Sequence, residues 1–76
     1  MGKRRDRVEY GLRFKWNETL ECWENSDTKK RRMVRVFPPM SGGKTWHIGV
    51  PSTGAKTNFA GEAEAFSVAE VHSRKA

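Results

Sequence analysis

The sequence predicts an α+β fold, an antiparallel sheet of four to five strands packed on one C-terminal helix. Three observations carry that prediction. Val8, Tyr10, Leu12, Phe14 and Trp16 recur at every second position, the alternation of a half-buried strand. Turn-forming clusters at Asn17-Glu18, Asn25-Ser26-Asp27, Pro38-Pro39 and Pro51-Ser52-Thr53-Gly54 divide the middle of the chain into strand-length pieces. From Gly61 to Arg74 there is no proline and most residues are good helix formers. Strands first and helix last imply a sheet with one face covered and the other open to water. With 76 residues, 36% of them hydrophobic, the chain has room for one such domain.

The elements follow in order. Gly2 to Arg7 holds four basic residues and no apolar one, so residues 1–7 are expected to form a disordered basic arm and residues 8–76 the single domain. The first strand runs from Val8 to Trp16, with Glu9, Arg13 and Lys15 between its apolar positions. Leu20-Glu21-Cys22-Trp23 folds back as its hairpin partner. Arg31 to Phe37, rich in β-branched and aromatic residues, makes a third strand that Pro38-Pro39 ends by removing two backbone donors. Ser41-Gly42-Gly43 leads into a fourth strand, Thr45 to Val50, in which Trp46, Ile48 and Val50 share a face. Lys56 to Phe59 forms a short edge strand. In the helix, Glu62 and Glu64 suit the N-terminal end of the dipole and Arg74 and Lys75 the C-terminal end. Ala65, Phe66, Val68, Ala69 and Val71 form the stripe expected to pack on the sheet, with Glu64, Ser67, Glu70 and Arg74 facing away.

Charge is the strongest compositional signal. Fifteen Lys and Arg against nine Asp and Glu leave a net charge of +6, which makes a polyanion the expected partner. Cys22 is the lone cysteine, so no intramolecular disulfide forms, and His47 and His72 add too few ligands for a structural metal; no cofactor is expected. No apolar run approaches the roughly 20 residues that span a bilayer, and the basic start is not followed by the apolar segment of a signal peptide. A non-membrane, cytoplasmic protein is the expectation.

Catalytic motifs are missing. No G-x-S-x-G, H-E-x-x-H or dinucleotide-binding glycine pattern occurs. Ser41-Gly42-Gly43-Lys44-Thr45 ends like a phosphate-binding loop, but the first glycine of that pattern is lacking and the following residues read as strand rather than helix. No enzymatic role is expected. Cys22 reads as a small buried hydrophobe, His47 as an exposed residue opposite Trp46 and Ile48, and His72 as a cation or packing residue at the helix end.

Binding residues are easier to nominate. Lys29-Lys30-Arg31-Arg32-Met33-Val34-Arg35 has five cations in seven residues and runs into a strand, which fixes part of the charge on rigid backbone. If Val34 and Val36 are buried, Arg31 and Arg35 stand on the open face, where Arg13 and Lys15 join them. Trp23, out of phase with Leu20 and Cys22, is expected there as an aromatic contact, whereas Trp16 and Trp46 read as core. Such a face would reach phosphates and base edges together, and double-stranded DNA is the expected ligand ahead of RNA.

The second half of the chain, Arg31 to Phe37, Lys44 to Val50, the turn at Ser52-Thr53-Gly54, Lys56 to Phe59 and the Ala/Glu-rich run from Gly61 to Val71, resembles the amino-terminal arm-binding domains of phage-type tyrosine integrases. That resemblance covers residues 31–74. It implies a three-stranded sheet backed by one helix and laid in the major groove, with Arg31, Arg35, Lys44 and Lys56 near DNA. The chain departs from the pattern in its additional hairpin from Val8 to Trp23 and in carrying Lys56 as the last strand's sole cation. A basic protein of this size is also similar to bacteriophage accessory proteins acting in the host cytoplasm, including inhibitors of CRISPR effectors. The competing expectation is therefore a module that binds a host protein, to which Glu18, Glu21, Glu24 and Asp27 around the first hairpin would contribute. Oligomeric state stays open, because an edge strand can pair with a second copy.

Overall fold

The computed structural model describes residues 5–40, 42–59 and 61–74. They form six strands and one helix: β1 (Arg7–Glu9), β2 (Leu12–Asn17), β3 (Cys22–Asn25), β4 (Arg35–Phe37), β5 (Trp46–Val50), β6 (Ala55–Phe59) and α1 (Glu62–Ser73). Every strand pairs antiparallel with the next in sequence, giving one sheet in the order β1-β2-β3-β4-β5-β6. The fold is α+β, as the sequence predicts, with six strands in place of four or five. Of the expected basic arm, residues 1–4 lie outside the described residues, and Arg7 is the first residue of β1.

The extra strand comes from Tyr10-Gly11. Both residues take positive φ, 54° and 78°, and Glu9 pairs with Leu12 across them. A two-residue loop of that kind matches the right-handed twist of its strands. What reads as one strand from Val8 to Trp16 is thus a hairpin, and the turn reverses which residues face the core. Arg7 and Glu9 share the face of Leu12 and Phe14, while Val8 and Tyr10 are exposed.

The strand expected from Arg31 to Phe37 is shortened to β4, Arg35–Phe37. The side chain of Asn25 replaces the ladder before Arg35: Nδ2 donates to the Arg32 carbonyl at 2.7 Å and Oδ1 accepts from the Val34 amide at 2.8 Å. Residues 31 and 32 attach to the helix end, where Arg31 bridges Arg74 and the Arg32 amide donates to the Ser73 carbonyl at 2.7 Å.

The apolar core cluster lies on one face of the sheet. Leu12, Phe14, Trp23, Val34, Val36, Ile48, Val50, Ala65, Phe66 and Ala69 form the core, with Trp16, Trp46, Ala55 and Val68 at its margin. Phe66 projects from α1 into a ring of aromatics, with centroids 5.0 Å from Phe14, 5.8 Å from Trp23 and 5.8 Å from Trp46. Trp23 is 4% exposed, stacked on Trp46 and edge-on to Trp16. The helix stripe is also rotated from expectation. Val71 is exposed, whereas Glu70 and Ser73 are buried, because arginines supply the carboxylate with partners.

Tyr10 occupies a left-handed position that disfavours a bulky side chain. Replacing it with asparagine should raise stability by about 0.5–1 kcal/mol, read as a higher urea midpoint at unchanged slope. An unchanged or lowered midpoint would show that Tyr10 contributes packing that outweighs its backbone conformation.

Candidate nucleic-acid interface

α1 covers the aromatic face, so the side chains of opposite phase stand on the uncovered one. The register aligns Lys15, Glu24, Arg35, Gly49 and Lys56 in a single row across β2 to β6. A neighbouring row holds Asn17 and Cys22 on one side and Phe37, His47 and Asn58 on the other. Arg13 lies two residues before Lys15 on the same face. At a strand spacing of about 4.8 Å, Lys15 and Lys56 are ~19 Å apart, with Arg35 midway.

Arg13, Lys15 and Lys56 are exposed. Arg35 is only partly exposed, and its Nε donates to Glu24 Oε2 at 2.7 Å. Glu24 Oε1 also accepts from Asn17 Nδ2 at 3.2 Å, so the carboxylate is itself held in place. This pairing cancels one positive charge in the middle of the row. It also immobilises the guanidinium along its Nε edge, and the two Nη atoms make no hydrogen bond among the described residues. A guanidinium fixed this way presents its outer edge for bidentate contacts.

Phe37 lies half-buried on the open face, with Cε1 3.9 Å from where a Cβ on Gly49 would stand. Beside it His47 Nδ1 meets Asn58 Oδ1 at 2.6 Å. An amide oxygen only accepts, so this contact is a hydrogen bond in the tautomer that carries its proton on Nδ1. Cys22 belongs to this face by alternation yet is fully buried, and desolvation with Glu24 nearby pushes its thiol up to about 11 against the opposing pull of Arg35. It is therefore protonated at neutral pH and a poor nucleophile.

Several nominated residues lie where the sequence places them, and two do not. Lys29 and Lys30 are exposed in the turn after β3, and Lys44 is exposed before β5. Trp23 is not on the open face: it pairs with Trp16 and Val36 in the core, because β3 begins at Cys22 and its phase follows Phe14 and Trp16 rather than Leu20. Arg31 is not there either. It precedes β4, so strand alternation does not apply, and its Nη1 donates to Glu70 Oε2 at 2.6 Å and to Ser73 Oγ at 3.1 Å. Sequence reasoning assigns no site role to Phe37 or Asn58, gives Glu24 only to a protein-binding surface and reads His47 only as exposed; their place in this face depends on the cross-strand register. Among the described residues no group of three His, Cys, Asp or Glu side chains could hold a metal ion, and no helix is long and apolar enough to cross a membrane.

Compared with protein-family models, curated proteins and solved structures, the chain matches none. The functional argument therefore rests on the chemistry of the site.

The Arg31 cluster makes its own prediction. Hydrogen bonds from Arg74, then from Arg31, hold the Glu70 carboxyl below the usual carboxylate range despite its burial. A depressed folded-state value gives stability that is present above the unfolded value near 4.3 and lost as pH falls through the folded one. Wild-type melting temperature should thus fall more steeply from about pH 5 to about pH 3 than that of Glu70→Gln, which starts lower at neutral pH. Parallel curves would remove Glu70 from the acid response.

Proposed function

We propose that the protein is a non-enzymatic nucleic-acid-binding module that holds phosphodiester chains against the open face of its sheet. The observation that carries this reading is the row from Lys15 through Arg35 to Lys56, with Arg13 beside it, fixed on a sheet whose other face is closed by a helix. Cations carried on a folded sheet need no backbone ordering to meet phosphates, although each side chain still loses rotamer freedom, and each counterion they release favours binding. The overall charge of +6 adds attraction at longer range.

Width decides how a duplex would fit. Six strands span about 24 Å, twice the roughly 12 Å of a major groove, so the sheet lies across the groove rather than wholly within it. Lys15 and Lys56, ~19 Å apart, then meet phosphates on its two sides, and Arg35 faces the base edges between them. Arg31 takes no part, because it is attached to the end of α1, away from the open face. The same cations serve a single strand equally well.

The exposed open-face cations Arg13, Lys15 and Lys56, with Lys44 just before β5, make four contacts and predict a slope of log affinity on log salt of about −3.6 for duplex DNA, and slightly less for a single strand. Replacing Lys15 and Lys56 together with alanine should bring the duplex slope to about −1.8 while leaving the melting temperature unchanged. Fluorescence anisotropy titrations between about 50 and 200 mM salt provide the measurement. A slope near zero, or one the double substitution does not alter, would contradict the proposal.

A further inference from the structure

The phosphate contacts leave a groove of about 990 Å³ unused beside the cationic row. Its floor is low because Gly49 carries no side chain, and the Phe37 ring stands next to that gap with apolar Pro38, Pro39 and Met40 continuing the wall. The two ends differ in charge. Lys56 lies at one end, on β6, while Glu18 and Glu21 lie at the other, on the turn between β2 and β3. Three to four strand spacings, ~14–19 Å, separate them. Between the ends stands His47, held by Asn58, and neither His47 Nε2 nor Asn58 Nδ2 makes a hydrogen bond among the described residues.

An anion site, a flat aromatic wall with free polar edges, and carboxylate acceptors at the far end match the outline of a nucleotide. Phosphate goes to Lys56, the base lies against Phe37, and its exocyclic amino group points toward Glu18 or Glu21, as carboxylates accept from such groups. The carboxylates repel phosphate, which fixes the direction of entry. A base inside an intact duplex has both faces and its pairing edge covered, so only an unpaired base can enter. Building on the nucleic-acid reading above, we infer that this groove receives an unpaired, amino-bearing base, and that the protein prefers single-stranded or looped nucleic acid to uninterrupted duplex.

The test uses labelled dC12, dT12 and a 12-base-pair duplex, titrated at one salt concentration with wild type and two variants. Gly49→Val raises the floor without changing charge, and valine suits a strand. Phe37→Ala removes the stacking wall, and melting curves report the folding of both. Wild type should bind dC12 about tenfold tighter than the duplex, as expected for a stacked base, and tighter than dT12, whose base lacks the amino group that Glu18 or Glu21 would accept from. Gly49→Val should lower dC12 affinity more than duplex affinity and so erase that advantage. Should Gly49→Val melt early, Phe37→Ala carries the same comparison. Wild type favouring duplex, or both variants changing strand and duplex equally, would overturn the base pocket while leaving the phosphate reading intact. Failure to bind any of the three oligonucleotides would overturn both. Binding of a lysine-bearing apolar peptide to wild type but not to Gly49→Val, with oligonucleotide affinities unchanged, would overturn the base pocket in favour of a protein partner.

Discussion

Phe66 is the residue on which the arrangement depends. One helix of 12 residues must close a sheet of six strands, and it does so by inserting one aromatic ring among Phe14, Trp23 and Trp46. Edge-on aromatic contacts add roughly 0.5–1.5 kcal/mol each to the burial of the ring. Because these partners come from β2, β3 and β5, the cluster sets the phase of three strands together. Every residue of the other phase is thereby consigned to the uncovered face, which is how Lys15, Arg35 and Lys56 come to share a row.

Arginine serves two purposes in the molecule. At the start of the helix Arg7 lies 4.3 Å over the Phe66 ring and pairs with Glu9 and Glu62. At its end Glu70 gathers Arg31 and Arg74. These pairs fasten both ends of α1 to the rest of the chain, at β1 and at the segment before β4. Glu70 is buried, so removing its arginines would strand its charge, while Arg7 is held by its carboxylates and by the Phe66 ring; these arginines are structural. The cations left for a ligand are those of the open face and its loops. Net charge alone overstates the binding surface, since part of it is committed internally.

The sequence made some of this legible and hid the rest for identifiable reasons. β5, β6 and α1 are marked by Pro51, by the turn at Ser52-Thr53-Gly54 and by an uninterrupted run of helix formers, and they form close to where those signals put them. Val34 and Val36 are buried as their alternation suggests. The Tyr10-Gly11 turn is hidden in the sequence because Tyr10 is a strand-forming residue holding a conformation suited to asparagine, so the alternation runs through it unbroken. Trp23 faces the core because Leu20 belongs to a turn, which shifts the phase that alternation from Leu20 would give. Arg31 was misplaced because Asn25 ends the ladder with its side chain, and Glu70 because a carboxylate on a helix reads as solvent-facing until its two arginines are seen. Tertiary pairing of charges, unlike periodicity, leaves no local trace.

The division of the sheet into an aromatic face and a cationic face is the central claim, and a map of amide chemical-shift changes on adding a short oligonucleotide tests it most directly. Perturbations confined to Arg13, Lys15, Arg35, His47, Lys56 and their strand neighbours, with α1 unmoved, are the predicted result. Shifts centred on α1 or on the Arg31 cluster, with β2 and β4 to β6 silent, would contradict it.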